Sequence, residues 1–344
     1  MTMSSRERVM TALRRAEPDR VPFCEFFVDR AMAQKLVGLE EDKNEHDGTI
    51  LKNPYTVEES KAIASFLGLD NINYILAAPE YAHFKKGADG RSFPTEGMIK
   101  SEADLSMIEL PDPHNDRLYD EAEKFVKHKG EYFLCFQTRI GLTQPILSLG
   151  TENFCFALYD NRTLVEKLLD IYFDWMVEVA DRICQMGFDA FWTTDDFAFK
   201  TGLLFSPALF KDLLVPRYRR VLEKVTIPWI LHSDGNITES MEMLLDLGVS
   251  AIHPNEPEAM DIRAMKKTYG DRICLMGNVD MNLLAGGKPD EVDKEVRELI
   301  RDIGPGGGYI LTSGNSMASF LNAECVLALA KAARKYGRYP IELS

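Results

Sequence analysis

His232 and Asp234 stand two positions apart behind the apolar run Pro228-Trp229-Ile230-Leu231. In an extended segment side chains at that spacing project to the same side. An imidazole beside a carboxylate can move a proton, or hold a borderline cation such as zinc through nitrogen and oxygen. Other polar residues follow apolar runs in the same way: Asp195 and Asp196 behind Ala190-Phe191-Trp192, Glu256 behind Ala251-Ile252, Asn278 behind Ile273-Cys274-Leu275-Met276, and Asn315 behind Tyr309-Ile310-Leu311. We expect His232, Asp234, Asp195 and Asp196 to carry chemistry, and His232, Asp234 and Glu256 to be the candidate metal ligands. Each also has a structural reading: a strand-end hydrogen bond for His232, a turn for Asp195 and Asp196, an ion pair for Glu256, a left-handed backbone for Asn278 and Asn315.

Such residues share a site only if their strands end side by side. Further runs at Val21-Pro22-Phe23-Cys24, Ile72-Asn73-Tyr74-Ile75-Leu76 and Tyr132-Phe133-Leu134-Cys135-Phe136 bring the strand candidates to about eight, separated mostly by amphipathic segments. The fold class this implies is α/β, a (β/α)8 TIM-like barrel with its chemistry at the C-terminal strand ends. Helices are expected over 163–186 behind a Thr163-x-x-Glu166 capping box, and over 206–225, 236–247 and 289–303. A helical extension begins at Ser4 or Ser5, and the Gly-, Pro- and Asp-rich stretch 79–115 reads as an insertion or lid within a single domain spanning 1–344. Asn73, Tyr74, Gln137, Trp192, Phe197, Asn278 and Asn315 are the expected substrate-binding residues, the aromatic ones lining a pocket or packing the core. The run Gly306-Gly307-Gly308 lacks the lysine of a phosphate loop and reads as a tight entry into the last strand.

A net charge of −14 argues against a nucleic-acid surface, which needs a basic face. The six cysteines stand singly, without a C-x-x-C pair, as small buried hydrophobes of a reducing compartment do. No apolar stretch approaches the roughly 20 residues of a bilayer span. A cytoplasmic enzyme, alone or as a homodimer, is the expectation.

The segments Arg6-Glu7-Arg8-Val9-Met10, Glu17-Pro18-Asp19-Arg20-Val21-Pro22, Leu231-His232-Ser233-Asp234-Gly235-Asn236, Met276-Gly277-Asn278-Val279-Asp280 and Gly306 to Leu311 occur in an order that resembles the uroporphyrinogen decarboxylase superfamily. That resemblance implies the barrel, and an activity that is either porphyrin decarboxylation or methyl transfer to or from a cobalamin carried on a separate corrinoid protein. The decarboxylases resemble one another in an Arg-Gln-x-Gly-Arg stretch after the first strand, an aspartate on the second and a histidine after the last. This chain has Glu25 to Gln34, Tyr74 beside Asn73, and Asn315 at those places. A polycarboxylate facing uncompensated acids is penalised. Thiol-methylating members hold zinc through His-x-Cys and a later cysteine, whereas here Asp234 and Ser313-Gly314-Asn315 stand in for the thiolates.

The resemblance therefore implies a substrate-side methyltransferase, which takes the methyl group of a small methylated compound, favoured as a methoxylated aromatic. Its cobalamin would be the nucleophile, so the protein has to neutralise the departing oxygen with a proton donor or Lewis acid. His232, oriented by Asp234, is expected in that role, with Zn2+ as the ion the O/N set would take. A metal-dependent hydrolase or lyase, and a non-catalytic corrinoid- or metabolite-binding protein, are the competing readings.

Overall fold

The computed structural model describes residues 2–39, 51–87 and 92–342. Seven strands pair side by side in parallel: β1 (Asn71–Ala77), β2 (Phe133–Thr138), β3 (Ala190–Thr194), β4 (Trp229–His232), β5 (Ala251–His253), β6 (Cys274–Val279) and β7 (Tyr309–Ser313). Segment 21–24 closes the ring. Phe23 bridges Leu311 in parallel, Cys24 N donates to Leu311 O, and on the other side Asp70 N donates to Phe23 O. The sheet is thus a (β/α)8 TIM-like barrel, and all eight expected runs fall in its staves.

Alternation along the strands divides the apolar residues between two cores. Cys24, Phe133, Cys135, Ala190, Trp192, Ile230, Ala251, Cys274, Met276 and Ile310 point inward and are joined by Val9, Ala12 and Leu13 of helix Ser5–Leu13. That helix plugs the closed end of the barrel, its Val9, Ala12 and Leu13 packed against the inward residues. Its Ser4 cap accepts from Glu7 N, and its Arg8 is buried between Asp19 and Asp70, where Arg20 also lands. The Arg-Glu-Arg and Pro-Asp-Arg motifs of the N-terminus are therefore the ion-paired stopper of the barrel. Removing one partner of so buried a network costs about 3–5 kcal/mol. Three cysteines, Cys24, Cys135 and Cys274, serve this inner core, and burial pushes each thiol up.

The outward residues pack under helices. Helix Arg162–Met186 is capped by Asn161, whose side chain accepts from Leu164 N, so the expected Thr163 cap is displaced by two residues. The element expected over 206–225 is interrupted: Phe210–Leu214 widens into a π turn before Pro216, whose ring removes a helical donor. The element expected over 236–247 shortens to a 3-10 turn Thr238–Ser240 and helix Met241–Asp246, while Pro289–Ile303 forms as expected. The glycine run before β7 does have three positive φ angles, and a Cβ on Gly307 would strike the backbone of Ala16.

Within the insertion 79–115, Ala82–Lys86 and Ser92–Gly97 form an antiparallel hairpin, with residues 88–91 outside the described residues. It is tied to helix Thr143–Leu149, which follows β2, by Ile99 N to Ser148 O and Tyr81 N to Ser148 Oγ. Among the described residues, no helix is long and apolar enough to cross a membrane.

Candidate active site

The ends of β3 and β4 converge on His232. Its ring is buried and stacks on Phe26 at 4.3 Å between centroids and 12° between planes. Nδ1 lies 2.7 Å from His253 Nδ1, at the end of β5. Nε2 faces the opposite way, 3.6 Å from Asp234 Oδ1 and 3.9 Å from Asp196 Oδ1, both too long for a direct hydrogen bond. The turn after β4 is held open for this arrangement. Asp234 N donates to Asp196 Oδ1, Asn315 Nδ2 donates to both oxygens of Asp234 at 3.0 and 2.8 Å, and Gly235, at φ +82°, donates its N–H to Glu256 Oε2. A Cβ on Gly235 would run into the carbonyls of Ala198 and Phe199, so only glycine lets the hairpin Ala198–Phe199/Gly202–Leu203 lie against the site.

Charge is concentrated there. Burial pushes the Asp234 carboxyl up, Asp196 and Glu256 add to the rise, and His232 and the Asn315 bond oppose it. Burial, and then His232, hold the His253 imidazole well below its usual range, so it is neutral near pH 7. Asp196, His232 and Asp234 offer ligand atoms all within 4.8 Å of one another. A tetrahedral zinc with bonds of about 2.1 Å needs ligand atoms about 3.4 Å apart; the His232–Asp234 spacing is close to that, and Asp196 would have to draw in by a few tenths of an ångström or more to join it. The donor set is nitrogen and oxygen, and its second acid is Asp196 where Glu256 was expected. Glu256 is spent on the Gly235 N–H and stands outside the triad.

Other expected residues are redistributed by the fold. Asp195 is fully buried and turned away from the mouth. It accepts from Leu142 N, Thr143 N, Thr143 Oγ1 and Tyr218 OH, and burial lifts its carboxyl to about 6 against those bonds. Its own N–H donates to His232 O, so it anchors the loop after β2 beside the site instead of entering it. Tyr74 faces the helix layer, packed on Phe125, Phe136 and Phe188. Phe197 is core, against Phe210. Asn278 donates to Asn255 O and lines a cleft toward helix Pro289–Ile303. Asn73 and Gln137 do point inward, but both donate to the carbonyl of Phe26, at 2.8 and 2.6 Å. They hold the ring that holds His232. Trp192 is inside the barrel, edge-on to His253 at 5.3 Å. Asn315 joins the site through Asp234.

Four residues that bear on the site lay outside the expected set. Phe26 and His253 form the aromatic seat of His232. Glu25, the residue before Phe26, is buried between the first and last staves, accepts from Ser313 Oγ, and is lifted by burial to about 8. Arg139, after β2, is ion-paired with Glu80 and lies within the field of Asp196 and Asp195. His253 follows the same apolar-run rhythm that singled out His232, so its signal was available. Phe26 carried none, because an aromatic residue past a strand end is indistinguishable from core.

The geometry defines a barrel enzyme whose mouth carries an acidic nitrogen–oxygen triad. The uroporphyrinogen decarboxylase (URO-D) family model matches residues 140–336, and the chain belongs to that family. It is 24% identical over 196 residues to the uroporphyrinogen decarboxylase of Dechloromonas aromatica, covering 54% of this chain and 53% of that protein. To the uroporphyrinogen decarboxylase of Methylococcus capsulatus it is 22% identical over 259 residues, 69% of this chain and 70% of that one. The chain thus matches about half the length of the first relative. A methyltransferase from Methanosarcina mazei has the same fold, with a TM-score of 0.74 at 20% identity, over 97% of this chain and 99% of that one.

Proposed function

We propose that this chain is a substrate-side methyltransferase, moving a methyl group from a small methylated compound, favoured as a methoxylated aromatic, to the cobalamin of a separate corrinoid protein. The observation that carries the reading is the triad of Asp196, His232 and Asp234. Decarboxylating a porphyrin polyanion needs converging cations, yet this mouth presents acids, and the nearby Arg139 is already paired with Glu80. The inner core is filled up to Trp192 and Met276, so a corrin would present itself at the open strand ends. When bound there, the cobalamin supplies the nucleophile and a divalent cation of the zinc type supplies Lewis acidity.

The chain's own residues do the rest. Phe26 and His253 fix the His232 ring, Asn315 and the Asp196 contact fix Asp234, and Nε2 with the two carboxylates faces the place where the departing oxygen develops charge. The corrinoid partner would dock over the strand ends and the hairpin Ala82–Lys86/Ser92–Gly97. The test is to mix the purified protein with a reduced corrinoid protein and a panel of aryl methyl ethers. Conversion of the cob(I)alamin spectrum to that of methylcobalamin supports the reading, and an unchanged spectrum across ethers, methylamines and methyl thioethers rejects it.

A further inference from the structure

We propose that His253 is the positioning residue that keeps His232 protonated at Nδ1, so that Nε2 presents its lone pair to a divalent cation shared with Asp196 and Asp234. The inference rests on the cation reading above and concerns a residue outside the triad. Two imidazole nitrogens 2.7 Å apart must share one proton, so one of them donates and the other accepts. The other face of His232 decides which. Its Nε2 stands 3.6 and 3.9 Å from the two carboxylates, wider than a hydrogen bond and close to the edge of a metal tetrahedron. A nitrogen that ligates a cation carries no proton. The neutral ring must then carry it on Nδ1, and His253 Nδ1 must accept it.

His253 is built to remain that acceptor. It is 1% exposed, wedged edge-on against Trp192 at 5.3 Å and beside Phe26 at 5.5 Å, so its ring cannot turn away. Phe26 stacks on the face of His232, and Asn73 and Gln137 tie down the Phe26 carbonyl, so the pair sits in a fixed frame.

The experiment uses protein labelled with 15N in its six histidines, saturated with Zn2+, with His232 and His253 assigned from single variants. The expected spectrum has the proton on Nδ1 of His232 and on Nε2 of His253. A proton on Nε2 of His232 overturns the proposal. In parallel, Co2+ affinity is measured for His253→Leu and for His253→Asn, whose side-chain oxygen overlays the lost Nδ1. Leucine should weaken binding about 10–100-fold, the usual cost of deleting an outer hydrogen bond to a ligating histidine, and asparagine should restore most of it. Equal affinity in both variants and in the unaltered protein overturns the positioning role while leaving the cation site standing. If the unaltered protein binds neither ion, the cation reading itself falls, and the corrinoid assay still reports separately on methyl transfer. Should the leucine variant not fold, the tautomer spectrum of the unaltered protein decides.

Discussion

Asn315 holds both carboxylate oxygens of Asp234 from across the barrel mouth, at 3.0 and 2.8 Å, so the loop after the last strand sets the acid beside His232. One amide thereby couples β7 to β4. Asn315→Ala should leave folding nearly intact, since the site is partly open, but free Asp234 to rotate. A loss of about 10–100-fold in Zn2+ affinity is expected, as for other outer-shell bonds. Titration with the metal and a thermal unfolding curve check both halves; unchanged affinity would mean that Asp234 needs no clamp.

Asp195 and Asp234 should separate cleanly. Asp195→Asn replaces an acceptor with an amide facing N–H and O–H donors, which should cost about 1–3 kcal/mol of stability. Asp234→Asn should cost little stability and most of the activity, because it removes a charge from the triad. Chemical denaturation beside a methyl-transfer assay reads the contrast, and the reverse pattern would show that the roles are exchanged.

Glu25 gives the protein a pH signature. Its carboxyl is lifted by burial from 4.5 to about 8, so the folded chain holds a proton there that the unfolded chain releases above 4.5. Stability from this group is complete below 4.5 and falls as pH rises toward 8, by at most about 1.4 kcal/mol per pH unit. Glu25→Gln, which keeps the neutral shape, should flatten that decline. A variant whose stability tracks that of the parent from pH 5 to 8 would place the proton elsewhere.

The staves were readable in the sequence because burial imposes a strict period on residues such as Cys135, Trp192 and Leu275, whereas the N-terminal helix was legible as a helix but not as the plug of the closed end. Past the last paired residue that period lapses. Asp195 and Asp196 look alike in the chain, yet Tyr218 and Thr143 draw the first toward the helix layer while the second faces the mouth. Tyr74 and Asn73 are both expected at the site, but neighbours on a strand face opposite ways, and Asn73 is the inward one. Phe26 and Arg139 depend on contacts with residues distant in the chain, which no local pattern encodes.

His232 should matter most where the leaving group needs most help. With reduced corrinoid protein and a series of ring-substituted methyl ethers, His232→Ala should lose roughly 10²–10⁴-fold in rate. Electron-withdrawing ethers, whose phenolates leave more readily, should be partly rescued. A uniform drop would assign His232 to binding alone.

Methyl transfer, proposed for a member of a family named for decarboxylation, can be read directly against decarboxylation. One preparation is given a trideuteriomethyl aryl ether with reduced corrinoid protein, and separately uroporphyrinogen, and both mixtures are read by mass spectrometry. Trideuteriomethyl on cobalt and no loss of carbon dioxide from the porphyrinogen are expected. Decarboxylated porphyrinogen, with no label on cobalt, would contradict methyl transfer.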